Sequence, residues 1–357
     1  MKPFTHEALP GRVVFGAGAV GRVADEVTAL GLERALVVAG GSAKVVGERV
    51  ADDLGPRFAG HLTDVRQHVP EELAAAAHRA ARQAGADGVV AVGGGSAIGL
   101  AKAVAVGDDA EGPVVIVAVP TTYSGSEVTP IYGITGEHKQ TGRDPRALPR
   151  VVVYDPELTV GLPPAVTAAS AFNALAHCVE ALYAPGTNPV VQLQAAAGVE
   201  ALAGALPAAV DDPGDLDARG RLLYGAYLAG AAFAVAGTAL HHKLCHVLGG
   251  TFGLVHADVN AVVLPHALAY NAEAAPEAAA TVAVALGRAG MGDLWRLGRR
   301  VGVPASLAAL GMPADGLDLA AERAVAETGT TNPRPPDAAS LRALLQRAWD
   351  GAPPTAG

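Results

Sequence analysis

Four histidines, His177, His242, His246 and His256, stand in the apolar second half of the chain at spacings that let them converge. His177 follows Asn173 by four residues in SAFNALAHCVEAL, and His246 follows His242 by four in HHKLCH. Residues four apart share a helix face, so each pair can point into one cleft. His256, in GLVHADVN, comes ten residues after His246, past Gly249-Gly250, which reads as a helix end. Converging imidazoles suit two chemistries. They can ligate a divalent metal, or line a pocket in which groups titrating near neutrality handle protons and developing charge. A lone histidine of this kind reads as a satisfied core residue; four aimed at one cleft do not. Helix neighbours point about 100° apart. His241 is therefore expected outside the cleft, and Cys178 and Cys245 as buried apolar fillers rather than ligands.

The elements that must position these residues change character along the chain. Residues 12–155 alternate β-rich runs (RVVF, ALVVA, GHLTDV, GVVAVG, VVIVAV, RVVVYD) with Ala-rich amphipathic stretches. Nearly continuous apolar strands separated by helices indicate a parallel sheet covered on both faces. PGRVVFGAG reads either as an edge strand of that sheet or as a strand pairing with a second subunit. After Asp155-Pro156 long Ala/Leu segments dominate, with breaks expected at Pro185, Pro207, Pro213 and Gly249-Gly250, and the spacing predicts helices only. The expected organisation is an α/β domain over 1–158 and an all-helical domain over 159–357.

Two glycine loops compete for a phosphate. Gly16-Ala-Gly18-Ala-Val-Gly21 fits G-x-G-x-x-G, but the acidic partner expected about 20 residues on is missing, so it reads as a tight strand–helix turn. Gly93-Gly94-Gly95-Ser96 ends a long apolar strand and opens a helix. There backbone N–H groups and the helix N-terminus can meet a phosphate. The next strand ends in Pro120-Thr121-Thr122-Tyr123-Ser124-Gly125-Ser126-Glu127, and two such adjacent ends form the crevice in which open α/β sheets bind ligands.

Composition narrows the classes. With 357 residues the chain can fill two domains, and 50% hydrophobic but only 4% aromatic residues imply cores of Ala, Val and Leu. A net charge of −9 argues against nucleic acid as the main partner. Two cysteines without framework spacing suit a reducing compartment. The N-terminal stretch lacks a signal-peptide core and no apolar run of spanning length is free of Gly, Pro or charge. The expectation is a cytoplasmic protein with no membrane partner.

With these pieces in order, the chain resembles the iron-containing alcohol dehydrogenase superfamily and, within it, the maleylacetate reductase branch. The motifs that carry the likeness are FGAG, AVGGGSAIGLAKA, VPTTYSGSEVTPIYGIT, KQTGRDPRALPRVVVYDPEL, SAFNALAHCVEALYAP, HHKLCHVLGGTFGLVHADVNAVVLPH and NPRPPDAASLRALLQRAWDG. The resemblance implies a Rossmann-like dinucleotide-binding domain followed by an all-α domain (the dehydroquinate synthase-like fold), a cleft between them, and a homodimer. It implies that Gly94, Gly95 and Ser96 hold the pyrophosphate and that Thr121, Thr122 and Ser126 flank the nicotinamide. Gly40 stands where strict NAD enzymes of the superfamily carry an aspartate, so NADH and NADPH are both admitted. The activity implied is reduction of the C=C bond of maleylacetate, an intermediate of aromatic-ring breakdown, to 3-oxoadipate.

The superfamily's metal ligands, an aspartate and three histidines, map onto Asn173, His177, His242 and His256. An amide oxygen is a poor ligand for zinc or iron, and the branch resembled carries the same asparagine, so no required metal is expected; a retained ion would sit on His177, His242 and His256. His242 and His256 are then expected to polarise the ketone, with His177 and His246 positioning or relaying the proton. Lys139, Arg143 and Arg146 form a basic run that can bind a dianionic enone, or a solvated loop. Two other readings stay open: a metal-dependent alcohol or polyol dehydrogenase of the same fold, and a non-catalytic nucleotide-binding protein.

Overall fold

The structure is a computed structural model and describes residues 3–9, 11–107, 113–136, 139–287 and 292–355. The chain divides into two compact units: Ala8–Gly161, and Leu162–Gly357 together with Met1–Glu7. The expected division lay at 158/159, with the first residues counted in the α/β part.

The first unit contains β1 (Arg12–Phe15), α1 (Val23–Ala29), β2 (Ala35–Val38), α2 (Lys44–Leu54), β3 (Phe58–Leu62), α3 (Glu71–Gln83), β4 (Gly88–Gly93), α4 (Gly95–Ala105), β5 (Val115–Pro120), β6 (Ile131–Thr135), β7 (Lys139–Arg143) and β8 (Val151–Tyr154). Six strands form a parallel sheet in the order β1-β8-β5-β4-β2-β3. The inner strands β2, β4, β5 and β8 are Val-rich and buried almost throughout, as a parallel sheet covered on both faces requires, whereas the edge strands β1 and β3 are partly exposed. Val37, Val90, Val92, Val117 and Val119 join one core with residues of α1 and α2. Leu36, Val38, Val89, Ala91 and Ile116 join another with α3 and α4. From β2 the chain moves outward to β3 and then returns to place β4 on the other side of β2. That reversal makes the β2/β4 boundary the topological switch point, where the carboxyl ends of strands leave a crevice. β1 pairs with β8 as an edge strand of its own sheet.

One element was not expected. β6 and β7 form an antiparallel ribbon, with Ile131 opposite Arg143 and Thr135 opposite Lys139. β3 also begins two residues before GHLTDV, directly after the Gly55–Arg57 turn.

The second unit is helical: α5 (Pro164–Ala181), α6 (Pro189–Asp211), α7 (Leu216–Ala236), α8 (Leu240–Phe252), α9 (His256–Asn271), α10 (Pro276–Ala285), α11 (Asp293–Arg300), α12 (Leu317–Thr328) and α13 (Ala338–Asp350). α5, α6 and α7 pack on one another, and α8, α9, α12 and α13 share a second core around Leu244, Leu248, Val263, Leu341 and Leu345. Two expected breaks do not occur. Pro207 lies inside α6, near its C-terminal end. α8 runs through Gly249 and Gly250 and stops at Gly253, whose φ of +67° supplies the left-handed cap that ends helices. Helical glycine costs only about 1 kcal/mol, less than tertiary packing returns. Among the described residues, α6 is long and apolar enough by length and composition to span a membrane, and half of its apolar window is buried within the fold.

Candidate active site

At the switch point of the sheet unit three loops lie side by side. Gly93 has φ +150°, a conformation that favours glycine, and an added Cβ would stand 2.8 Å from that of Ala97. Gly94 precedes α4 without a side-chain cap, leaving the helix's first amides for another partner. A Cβ on Gly94 would meet Thr122 at 3.0 Å, and one on Gly95 would meet Ser124 at 3.8 Å. Thr121 N–H donates to the Gly93 carbonyl at 3.0 Å. Thus Gly94, Gly95, Ser96, Thr121 and Thr122 occupy one place, with α4 aimed at it. Gly40 follows β2, next to β4 in the sheet. Its Cβ would come within 2.7 Å of the Thr63 carbonyl oxygen and 2.9 Å of Val65 Cβ, so packing itself demands glycine there.

The other glycine loop is closed from within. The buried Asp155 carboxylate accepts from Gly18 N–H at 3.2 Å and Val20 N–H at 3.1 Å. A protein carboxylate fills the anion-binding turn that a pyrophosphate would need, which agrees with its reading as a structural turn.

Beneath the threonine loop lies a polar cluster that sequence reasoning passed over. Lys102 on α4 is fully buried, and its Nζ donates to Ser126 O at 2.7 Å, Thr129 O at 2.8 Å, Ile131 O at 2.8 Å and Thr129 Oγ1 at 3.0 Å. Burial pulls Lys102 down to about 7, opposed by Glu127, while its cradle of oxygens favours the ammonium. Glu127, also fully buried, accepts from Tyr154 Oη at 2.7 Å and Ser124 Oγ at 3.2 Å; burial pushes its carboxyl up. The signal was present as AK and SE within the quoted motifs, but nothing in spacing alone paired them.

In the basic run, Arg146 spends its charge on Asp144, at 2.7 Å. Arg143 lies exposed at the end of β7. Lys139 opens that strand; its side chain lies outside the described residues.

In the helical unit, α5 presents Asn173, His177 and Glu180 at helical spacing, α8 presents His241, His242 and His246, and His256 opens α9. The His177 and His242 rings stack 5.1 Å apart and 12° from parallel, and Phe233 covers both, at 4.4 and 5.4 Å. His246 and His256 stack at 5.7 Å. His256 is half-buried and His246 exposed, whereas His177 and His242 are buried. Burial, then the neighbouring His242, His241 and His256, holds His177 well below the ordinary imidazole range. It is neutral at physiological pH. Three ring nitrogens of this cluster, His177 Nδ1, His241 Nδ1 and His242 Nε2, are buried without a hydrogen-bond partner.

Glu180 was missed, although a carboxylate in the otherwise apolar CVEAL is conspicuous. Its Oε2 lies 2.6 Å from His242 Nδ1 and accepts from Ala239 N–H at 3.1 Å; Oε1 accepts from His241 N–H at 2.6 Å. Burial would raise this carboxyl, but His242, His241 and the amide more than offset it and hold it below the usual range. His241 is not clear of the cluster. It packs edge-on to His242 at 5.2 Å, fully buried, with Nε2 3.0 Å from the Asn260 carbonyl; burial brings it to about 4. The first turn of α8 is tight enough for neighbouring side chains to share one buried site. Cys178 and Cys245 are buried thiols whose pKa values burial raises, and Cys178 packs on Gly198, where a Cβ would come within 2.5 Å of its Sγ.

A metal finds partial accommodation here. Donor atoms of Glu180, His241 and His242 lie within 4.8 Å of one another, and His177 Nδ1, His241 Nδ1 and His242 Nε2 have no partner within the protein. Neutral buried imidazoles are sound donors for a divalent ion. Asn173 offers an amide oxygen, and that oxygen already accepts from Asn260 Nδ2 at 3.2 Å. The donor set thus admits a divalent ion, and the expectation of no required metal draws no support from it.

Residues 10–156 match the family described as iron-containing alcohol dehydrogenase, and residues 167–349 the C-terminal part of the Fe-containing alcohol dehydrogenase family. The chain is 49% identical over 357 residues to the maleylacetate reductase of Burkholderia cepacia, covering 99% of this chain and 100% of that one. It is 47% identical over 360 residues to that of Rhizobium sp. (strain MTP-10005), with 99% and 100% covered. The crystal structure of the maleylacetate reductase from Agrobacterium tumefaciens superposes with a TM-score of 0.95 at 46% identity, covering 99% and 100% of the two chains.

Proposed function

The chain belongs to the iron-containing alcohol dehydrogenase family, and from that premise we propose that it reduces the C=C bond of maleylacetate to 3-oxoadipate with NADH or NADPH. The observation that carries the reading is the pair of stacked, buried imidazoles whose Nδ1 (His177) and Nε2 (His242) have no protein partner. Leaving buried polar atoms unpaired costs roughly 1–3 kcal/mol each, a cost a bound oxygen would relieve. Relatives named for maleylacetate reduction over their full length support the substrate.

The reaction sets clear demands. Hydride passes from nicotinamide C4 to the carbon β to the ketone, the π electrons move onto the ketone oxygen as an enolate, and a proton is added at the α carbon. In this reading Gly94, Gly95 and Ser96 hold the pyrophosphate at the start of α4, and Thr121, Thr122 and Ser126 flank the nicotinamide. His242 and His256 hydrogen-bond the developing oxyanion. His177, neutral through burial, positions the substrate oxygen rather than carrying charge. His246, exposed beside His256, relays the proton from solvent. Lys139 and Arg143 bind the substrate carboxylates. A divalent cation, when bound, would be held by His177, His242 and His256 and would supply Lewis-acid polarisation of the ketone; the proposal is that the imidazoles suffice without it.

The test is a stopped assay of NADH and NADPH oxidation with maleylacetate and identification of the product. Formation of 3-oxoadipate is expected; oxidation of neither nucleotide would sink the reading. The donor group Glu180, His241 and His242 favours a second reading, metal-dependent alcohol or polyol dehydrogenation. Metal analysis and an EDTA challenge separate the two, since turnover with maleylacetate should survive chelation. The proposal includes a cytoplasmic homodimer. Exposed Val13 and Phe15 on the edge strand β1 support pairing with a second copy, and light scattering at the mass of one chain would remove that part.

A further inference from the structure

Glu180 is buried completely at the C-terminal end of α5, facing the first turn of α8. Taking a carboxylate out of water costs several kcal/mol unless its lone pairs are filled. Here they are filled by donors from one place. Ala239 N–H and His242 Nδ1 meet Oε2, while His241 N–H and, at 3.4 Å, His242 N–H meet Oε1. The residue at the N-cap position of α8 is Ala239, which has no capping side chain. A serine or aspartate there would satisfy the same amides locally. The chain instead reaches across from another helix with a side chain long enough to touch the imidazole as well. A cap alone does not need that reach.

Building on the reading of His242 given above, we infer that Glu180 is the positioning residue of His242: its carboxylate takes the Nδ1–H and so turns Nε2 to the substrate, where Nε2 must carry a proton as well to meet the developing oxyanion. An ionised carboxylate only accepts hydrogen bonds, so the atom 2.6 Å from it must carry the proton. The ring cannot turn away, because His177 and Phe233 stack against it and His241 closes its edge. Nε2 then remains buried and unpartnered. Carboxylates that accept from the far ring nitrogen of metal-ligating histidines fix ring orientation, and their loss costs ~10–100-fold in affinity or activity; a histidine that meets substrate is expected to lose a comparable amount.

Glu180→Gln tests this in two backgrounds. In the otherwise unchanged protein kcat for maleylacetate should fall ~10–100-fold, with KM for NADPH within about twofold; in a His242→Ala background the same change should cost less than about threefold, since its target is gone. An equal loss in both backgrounds, or no loss in the first, would reduce Glu180 to a helix cap. Normal turnover by His242→Ala alone would defeat the functional reading of His242 instead. The Nδ1 proton decides the inference independently of activity and of how well the variant folds. Long-range ¹H–¹⁵N spectra of histidine-labelled, unmutated protein should show His242 protonated at Nδ1, and protonation at Nε2 alone would overturn the assignment.

Discussion

Gly40 joins a packing constraint to a proposed specificity determinant in one residue. An added Cβ would lie 2.7 Å from the Thr63 carbonyl oxygen and 2.9 Å from Val65 Cβ, so introducing an aspartate to enforce NADH use meets backbone before it meets a ribose. Gly40→Asp is expected to destabilise the protein by ~1–3 kcal/mol and to weaken both nucleotides, instead of yielding a clean NADH-specific enzyme. Nucleotide titrations and thermal melts check this; retained NADH affinity with an unchanged melting temperature would contradict it. Arg143 makes the opposite case, an exposed cation whose proposed role rests on charge alone. Arg143→Ala should raise KM for maleylacetate about tenfold or more, and an unmoved KM removes it from the substrate site. At this scale the sequence was legible where spacing speaks: Asn173, His177, His242 and His246 recur at four-residue intervals on α5 and α8. It was silent where a contact joins distant segments. Glu180 meets residues about sixty positions later, and its glutamate looks like any buried acid until α8 is placed.

Among the elements, α4 does two things at once. Its N-terminus faces the glycine loop, and Lys102, two turns on, fastens the segment Ser126–Ile131 through three carbonyl oxygens and a hydroxyl. Glu127 completes the join by holding Ser124 and Tyr154. Lys102→Met preserves bulk but strands buried carbonyls and removes the cation near the buried Glu127, at a cost of roughly 2–4 kcal/mol. The expected outcome is a lower urea midpoint together with a weaker Kd for NADPH, because the threonine loop loses its anchor. Full affinity in a destabilised protein would separate the clamp from the cofactor. The inner parallel strands β4 and β5 that carry these loops were readable because each is a short Val-rich run bounded by turns, as GVVAVG shows. The ribbon of β6 and β7 was not, since KQTGR has no alternation of apolar and polar residues and Gly133 and Gly142 interrupt both strands. Cross-strand pairing, as of Tyr132 with Gly142, stabilises it without leaving a periodic signature. Glycine pairs misled in the opposite direction, since Gly249 and Gly250 sit inside α8 while the chain's left-handed cap falls on Gly253.

Across the whole molecule, buried neutral histidines make stability depend on pH in a definite direction. Burial, helped by Arg347, lowers His266 on α9 to about 4, against an unfolded value near 6.5. Between those values the unfolded chain binds a proton that the folded chain refuses, so stability is complete above pH 6.5 and is lost as pH falls toward 4, at up to ~1.4 kcal/mol per pH unit for each such residue. His241 moves the same way. Lys102 runs on a different window, from about 7 upward, and acts in the sheet unit. The two units can be told apart because both tryptophans, Trp295 and Trp349, belong to the helical one, where Trp349 Nε1–H donates to the Met312 carbonyl at 2.9 Å. Urea unfolding followed by tryptophan fluorescence should therefore weaken steadily from pH 6.5 to 5. His266→Gln should flatten that slope by about one proton's worth, ~1.4 kcal/mol per pH unit, although it costs some packing at every pH. A wild-type curve level across this interval, or one that rises on acidification, would mean that these imidazoles are not held neutral in the folded protein.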